Sequence, residues 1–311
     1  MSAEPRQYWA RSFGLLWQSD IELEHFKSAL VSDESADIVV CETAHLIERD
    51  PIHRINRGLV YADGFRFEWN GVVTFDVFDG NRIEYLPGAD WTGVLPWPYY
   101  STITALLLAW RGLLPFHGCA VSIEGQGVLI CGVSGAGKSS LTAALVAEGA
   151  QFISDDLSVV LPDNDGNGWN LVQGRPGIRL FPSVGRWFFG DDPMALPNDP
   201  RGKVIAAPAF NLNDSSVPLR QIIFLGGPEK PLSAIDQFIL LRKNLFRPNW
   251  LGKLPSIPAI RVAVRDISAS ANVSVEPVIG ETDEHALRAR AAAIIDRVRT
   301  MNDNSVSSTV S

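Results

Sequence analysis

Alternating apolar and polar positions dominate the first third of the chain and predict a β-rich region from about residue 8 to 95. Its segments with strand composition are 37–41, 65–69 and 72–78. The last two flank Asn70-Gly71, a dipeptide that favours a two-residue hairpin turn because both residues tolerate positive φ. A proline-rich passage at 95–98 ends the region. We therefore predict a first, β-rich domain over residues 1–98.

The pattern changes beyond residue 98 and alternates between helical and strand periods, as in α/β domains. The predicted elements are a helix over 101–111, strands over 117–123 and 127–131, a helix over 138–148, a short strand over 151–154 and a buried strand over 221–225. Residues 160–280 otherwise predict short strands among loops rich in proline and glycine. We predict a second domain over 99–300 with a mixed central sheet.

The last predicted helix has the clearest start and the clearest apolar face. Thr282 occupies the expected N-cap position, and acidic residues follow it in the first turn. The apolar stripe consists of Leu287, Ala291, Ile294, Ile295 and Val298. Beyond it, the segment 301–311 is polar and rich in serine, which predicts a disordered tail.

Composition narrows the function classes. Hydrophobic residues make up 46% of the 311 residues, which suits a globular protein with a sizeable core. The net charge of −8 argues against nucleic-acid binding, which needs a basic surface. The longest apolar run, 103–110, is too short to span a bilayer, so no membrane association is expected. Cys41, Cys119 and Cys131 are widely spaced, which disfavours disulfides or zinc and favours a cytoplasmic setting.

A phosphate-binding loop is the strongest chemical signal. Residues 132–139 read Gly-Val-Ser-Gly-Ala-Gly-Lys-Ser and match the Walker A pattern at every fixed position. Glycines allow successive N–H groups to turn towards phosphates, Lys138 can reach the β and γ oxygens, and the Ser139 hydroxyl can bind Mg²⁺. The loop predicts ATP and Mg²⁺ as cofactors. The predicted nucleotide-binding residues are Gly132, Ser134, Gly135, Ala136, Gly137, Lys138, Ser139 and Ser140.

Three further side chains have the chemistry that phosphoryl transfer requires. Asp155 and Asp156 follow a short strand directly after the helix of the loop, so they can face the same phosphates. One carboxylate can hold the metal, and the other can take a proton from an attacking hydroxyl. His117 begins the strand pair that leads into the loop. Taken singly, the aspartates could be a solvated turn or a helix cap, and the histidine could be structural.

These segments together resemble the catalytic domain of HPr kinase/phosphorylase. The residues that carry the resemblance are Phe116-His117-Gly118, the loop 132–139 and Ser154-Asp155-Asp156. Their spacing agrees with that family, in which the histidine lies 21 residues before the loop lysine and the second aspartate 17 residues after the loop serine. The resemblance covers about residues 112–160. It implies an α/β fold in which a β-rich N-terminal domain precedes a P-loop HPr-kinase-like catalytic domain with a mixed central sheet.

The resemblance implies a protein serine kinase. Asp156 would be the general base, Asp155 would lie near the metal together with Ser139, His117 would belong to the active site, and Lys138 would act on the phosphates. The arrangement is also similar to HPr-kinase-like proteins of proteobacteria, some of which phosphorylate a serine of a lasso-peptide precursor. The implied partner is a protein or peptide that bears an acceptor serine. The classical family forms hexamers, so a homo-oligomer stays open for this chain.

Two departures from the family keep alternatives open. The loop begins Gly-Val where the family has Gly-Asp, and residues 173–179 contain no glutamate for a further magnesium ligand. A nucleotide sensor without phosphotransfer, or a kinase of a small-molecule alcohol, therefore stay as alternatives. Arg175, Arg179 and the basic segment 241–248 could contact phosphate or an acidic peptide, although a solvated basic face is the simpler interpretation of that segment.

Overall fold

A computed structural model describes residues 6–30, 34–163, 165–166, 168–190, 194–195, 202–207, 216–227, 231–280 and 282–307. The chain forms two compact units. The first comprises Met1–Pro115 and Leu245–Ala263, and the second comprises Phe116–Asn244 and Val264–Ser311. These units do not coincide with the predicted domains 1–98 and 99–300, which stay a prediction. No helix among the described residues is both long and apolar enough to cross a membrane.

The secondary structure consists of short strands and seven α-helices in the described part of the chain. The strands are β1 (Tyr8–Ser12), β2 (Leu15–Ser19), β3 (Lys27–Ser28), β4 (Ile38–Glu42), β5 (His53–Ile55), β6 (Gly58–Val60), β7 (Gly64–Trp69), β8 (Val73–Phe78), β9 (Arg82–Pro87), β10 (Leu114–Phe116), β11 (Gly118–Ile123), β12 (Gln126–Gly132), β13 (Gln151–Ser154), β14 (Ser158–Pro162), β15 (Trp169–Val172), β16 (Ile178–Leu180), β17 (Met194–Ala195), β18 (Val204–Ala206), β19 (Val217–Leu225) and β20 (Asn272–Glu276). The helices are α1 (Thr104–Trp110), α2 (Lys138–Ala147), α3 (Pro182–Phe189), α4 (Ala234–Asn244), α5 (Pro248–Leu251), α6 (Ile257–Ser270) and α7 (Glu284–Ser307).

The first unit is built on a nine-stranded sheet with the order β3-β1-β2-β4-β9-β8-β7-β6-β5. Strand β4 runs parallel to β2 and β9, whereas the other neighbours are antiparallel. The predicted hairpin at Asn70-Gly71 is confirmed. Both residues have positive φ, 43° and 73°, and the N–H of Val72 donates to the carbonyl of Trp69 over 2.8 Å. This is the geometry of a tight hairpin turn.

Helical segments complete the core of the first unit. A π-helical turn, Tyr99–Ile103, runs directly into α1, and every residue from Tyr99 to Ala109 is buried. Together they correspond to the helix predicted over 101–111. Residues far along the chain also contribute, because Trp250 of α5 lies against the rings of Phe65 and Phe67.

The second unit contains a mixed sheet in which β14, β15, β19, β12, β11 and β13 follow one another and β20 also pairs with β19. The pairs β12–β19 and β19–β20 are parallel, and the other pairs are antiparallel. The predicted mixed central sheet is therefore confirmed. Helices α2 and α7 pack on this sheet through a shared apolar core that includes Leu141 and Leu287.

A small three-stranded sheet, β16-β18-β17, lies beside α2 and α3. Its core includes Ile178, Leu180 and Val204, which contact Val184 of α3 and Phe152 of β13. Helices α3, α4 and α6 were not expected from the sequence, where 160–280 indicated strands and loops. Prolines stand at or near the first positions of α3 and α6, where the missing N–H costs nothing.

The C-terminal helix confirms the predicted stripe and corrects two details. All five stripe residues, Leu287 to Val298, are buried. The N-cap is Asp283 rather than Thr282, because the Asp283 carboxylate accepts the N–H of Ala286 over 2.8 Å. The helix also continues to Ser307 where a disordered tail was predicted over 301–311. Residues 308–311 of that prediction lie outside the described part of the chain.

Candidate active site

The phosphate-loop sequence forms the turn between β12 and α2. The chain leaves the sheet at Gly132, and α2 begins at Lys138. Gly137 has a φ of 92°, and a Cβ there would stand 2.5 Å from the Cβ of Ile279, so only glycine fits. The Lys138 ammonium donates back to the carbonyls of Gly132 and Val133, over 2.8 and 3.2 Å. The loop is thus closed around its own lysine.

Asn244 connects two parts of the site that are distant in sequence. Its side-chain Oδ1 accepts the N–H of Gly132 over 3.0 Å, and its backbone carbonyl accepts the N–H of His117 over 2.8 Å. Its side-chain amide donates to the carbonyl of Leu240 over 2.8 Å, which fixes its orientation at the end of α4. The sequence offered no signal for this residue, because the contact depends on tertiary folding.

Asp155 is held by donors on both carboxylate oxygens. Its Oδ1 accepts from the Ser139 hydroxyl over 2.8 Å and from the Cys119 thiol over 2.9 Å. Its Oδ2 accepts the N–H of Arg179 over 2.9 Å. Burial, followed by the charge of Asp155, raises the pKa of the Cys119 thiol well above its ordinary value, so this sulfur stays protonated and donates. Asp155 is therefore a fixed carboxylate next to the loop serine.

Asp156 points into a different environment from its neighbour. Its φ of 69° lies in the left-handed region, which is uncommon for a residue with a side chain and occurs at functional sites. His117 Nε2 lies 3.4 Å from Asp156 Oδ1, and Arg175 Nη2 lies 3.9 Å from Oδ2. Burial alone would raise the pKa of Asp156, but the hydrogen bond from His117 and the positive charge of Arg175 outweigh it and hold that pKa well below its ordinary range.

One cavity of about 780 Å³ brings most of the predicted site residues together. Those that line it are His117, Ser134, Gly135, Gly137, Lys138, Ser139, Ser140, Asp155 and Asp156. Arg179 lines it as well, whereas Gly132 and Ala136 belong to the buried base of the loop. The cations of the basic segment do not line the cavity: Arg242 and Lys243 are exposed on α4, and Arg247 belongs to the first unit, where it donates to Thr102.

The cavity also contains residues that the sequence did not indicate. They are Cys119, Leu180, Phe181, Ser183, Val184, Trp187, Lys203, Ile279, Gly280 and Thr282. They come from β11, β16, α3 and the segments around β18 and β20, and they match no motif. Periodicity could have shown that Val184 and Trp187 share one helical face, but only if α3 had been predicted.

The residues present fit a magnesium ion at one end of this cavity. The Ser139 hydroxyl and Asp155 Oδ1 are 2.8 Å apart and offer two oxygen ligands, and Mg²⁺ usually completes its shell with water and phosphate oxygens. The described residues contain no cluster of three or more His, Cys, Asp or Glu side chains suited to a metal. Among the described lining residues, Asp155 and Asp156 carry the only carboxylates.

The comparison with known families agrees with this geometry. Residues 113–168 match the family described as the HPr serine kinase C-terminal domain. This segment of the chain is HPr-kinase-like. It contains His117, the phosphate loop and both aspartates.

Two other comparisons complete this picture. No curated protein matches this chain. A solved structure of the Hpr(Ser) kinase/phosphatase from Coxiella burnetii is 22% identical, over 39% of this chain and 71% of that chain, with a TM-score of 0.25.

Proposed function

We propose that this chain is an ATP-dependent kinase that transfers the γ-phosphoryl group to a serine hydroxyl of a protein or peptide. One observation carries the proposal. Asp156, in contact with His117, lines the same cavity as Lys138 and Ser139 of the phosphate loop. A nucleotide-binding module needs the loop, whereas a carboxylate next to a histidine in the same cavity supplies a base for an attacking hydroxyl.

The loop would hold the triphosphate through its amides and the N-terminus of α2. These N–H groups and the helix dipole favour anions. The Lys138 ammonium donates hydrogen bonds to two loop carbonyls. On nucleotide binding it would donate to the β and γ phosphate oxygens instead. Ser139 and Asp155 would hold Mg²⁺, which would neutralise part of the negative charge of the triphosphate.

Asp156 would then activate the acceptor. The low pKa of Asp156 means that its carboxylate is ionised at neutral pH, as a group that receives a proton must be. The serine hydroxyl gives its proton to Asp156 as its oxygen forms a bond to the γ-phosphorus. The bond between that phosphorus and the β–γ bridging oxygen breaks, and ADP leaves with the bond's electron pair. His117 and Arg175 would orient the carboxylate towards the hydroxyl.

The absence of a third carboxylate among the described lining residues favours one competing function, a nucleotide sensor without phosphotransfer. Such a protein would need the phosphate loop but not Asp156 or His117. Within the kinase proposal, a ribosomal peptide precursor of the lasso-peptide type is a specific acceptor to test, and a small-molecule alcohol is the other acceptor class.

The proposal can be tested with γ-³²P-labelled ATP, Mg²⁺ and a cell extract separated into protein, peptide and metabolite fractions. We expect label in the protein or peptide fraction, and we expect phosphoserine after acid hydrolysis. Label confined to the metabolite fraction would replace serine with a small-molecule alcohol. Tight ATP binding without label in any fraction would favour the sensor.

A further inference from the structure

We infer that the apolar wall formed by Val184, Trp187 and Ile279 binds the purine base of the nucleotide, with Trp187 stacked on it. The inference rests on the proposed function, because it assumes that the phosphate loop binds a nucleoside triphosphate. It goes further by assigning the base to residues that lie outside the phosphate-loop motif and outside the segment 113–168.

The wall begins at the loop itself. The N–H of Ile279 donates to the carbonyl of Ala136 over 3.0 Å, and the Ile279 side chain lies directly against Gly137. Ile279 and its neighbour Gly280 both line the cavity. If the loop binds the phosphates, the ribose and base extend away from it. Ile279 and Gly280 are the cavity residues next to the start of α2 that such a base would contact.

Helix α3 provides the rest of the wall. Val184 and Trp187 are three positions apart, so they share one face of the helix, and both line the cavity. Trp187 is half-buried and packs on the same apolar core as Ile279, a core that includes Leu141 of α2. Trp187 and Ile279 are thus held in place by packing on this core, while part of the Trp187 indole lines the cavity.

The cavity has both polar and apolar lining residues. His117, Asp155, Asp156 and Arg179 contact one another around the two carboxylates, which suits phosphate and acceptor chemistry. Val184, Trp187 and Ile279 add apolar surface of the kind that a planar base can cover. Stacking on an aromatic ring is favourable for every base and stronger for a larger one, so we expect a purine.

The test compares two ligands that differ only in the presence of the nucleoside. Binding of ATP and of inorganic tripolyphosphate, each with Mg²⁺, is measured by isothermal titration calorimetry for wild type, Trp187→Ala, Trp187→Phe and Phe188→Ala. Phe188 is the matched control, because it packs on the same core and contacts Arg288 but does not line the cavity.

Trp187→Ala is expected to weaken ATP binding about tenfold or more, from the usual size of base–aromatic stacking, and to leave tripolyphosphate binding unchanged. Trp187→Phe keeps a stacking surface and should stay close to wild type for both ligands, as should Phe188→Ala. Equal weakening of both ligands by Trp187→Ala, or unchanged ATP binding, would overturn the base assignment. Failure of wild type to bind either ligand would contradict the proposed function itself.

Discussion

Two adjacent carboxylates take different environments because the backbone turns between them. The Asp155 carboxylate accepts hydrogen bonds from Ser139, Cys119 and the backbone N–H of Arg179. Asp156, in the left-handed region, faces His117 and Arg175 instead. Such a division lets one carboxylate stay fixed near a metal while its neighbour exchanges a proton. The pair was recognisable from sequence, but the surroundings that separate the two roles were not.

At the residue scale, His117→Ala tests the contact with Asp156. Without the imidazole, the carboxylate is less well oriented, and we expect kcat to fall about 100-fold while the Kd for ATP changes little. Transfer rates and ATP binding are measured side by side. His285→Ala, an exposed histidine on α7, is the control. An equal loss in ATP affinity would show that His117 supports the loop rather than the base.

A second residue-scale prediction concerns Cys131, whose burial raises its pKa to about 12. The unfolded chain releases this thiol proton near pH 8.5, whereas the folded chain keeps it, so the contribution of Cys131 to stability is lost as pH rises from there. Wild type should lose about 1.5 kcal/mol more than Cys131→Ala between pH 8.5 and 10 in urea denaturation. Parallel pH profiles for the two proteins would disprove the shift.

At the scale of elements, the phosphate loop was predictable because its glycines, lysine and serine are adjacent in sequence. The hairpin at Asn70-Gly71 and the stripe of α7 were predictable for the same reason, since local conformation and periodicity decide them. Trp187, Lys203 and Asn244 reach the site through tertiary contacts between distant segments. No local sequence pattern predicts such contacts. Trp187 and Asn244 also lie in α3 and α4, two helices that the sequence did not predict.

Gly137→Ala and Gly135→Ala separate backbone strain from steric conflict in the loop. Both glycines have positive φ, 92° and 86°, so either substitution strains the backbone by about 1–3 kcal/mol. A methyl group at Gly137 also collides with Ile279, whereas nothing lies within 4 Å at Gly135. Gly137→Ala should therefore lower the free energy of unfolding by a further 1–3 kcal/mol, roughly the cost of overpacking. Equal losses in denaturant titrations would rule out the collision.

At the scale of the whole molecule, the chain crosses between its two compact units more than once. Leu245–Ala263 belongs with the first unit although the second unit precedes and follows it in sequence. Within the first unit, Trp250 is buried against Phe65, Phe67 and the backbone at Gly58. No local pattern in the sequence shows that a segment returns from so far along the chain, and the boundary at residue 98 stays a prediction.

Trp250→Ala measures how much this returning segment stabilises the first unit. Removal of a buried tryptophan leaves a cavity, and we expect a loss of about 3–5 kcal/mol in the free energy of unfolding. Trp69→Ala is the control, because Trp69 is only half-buried at the end of β7 and should cost about 1 kcal/mol. Similar losses for the two variants in urea denaturation would mean that Leu245–Ala263 contributes little to this core.

The most direct test of the kinase assignment is Asp156→Ala, assayed for phosphoserine formation and for ATP binding in the same preparation. With its acceptor, wild type should form phosphoserine. The variant should lose transfer by a factor of about 100 or more and bind ATP with a Kd close to that of wild type, since Lys138, Ser139 and Asp155 remain. Transfer at the wild-type rate would contradict the account, because Asp156 could then not be the base that activates the hydroxyl.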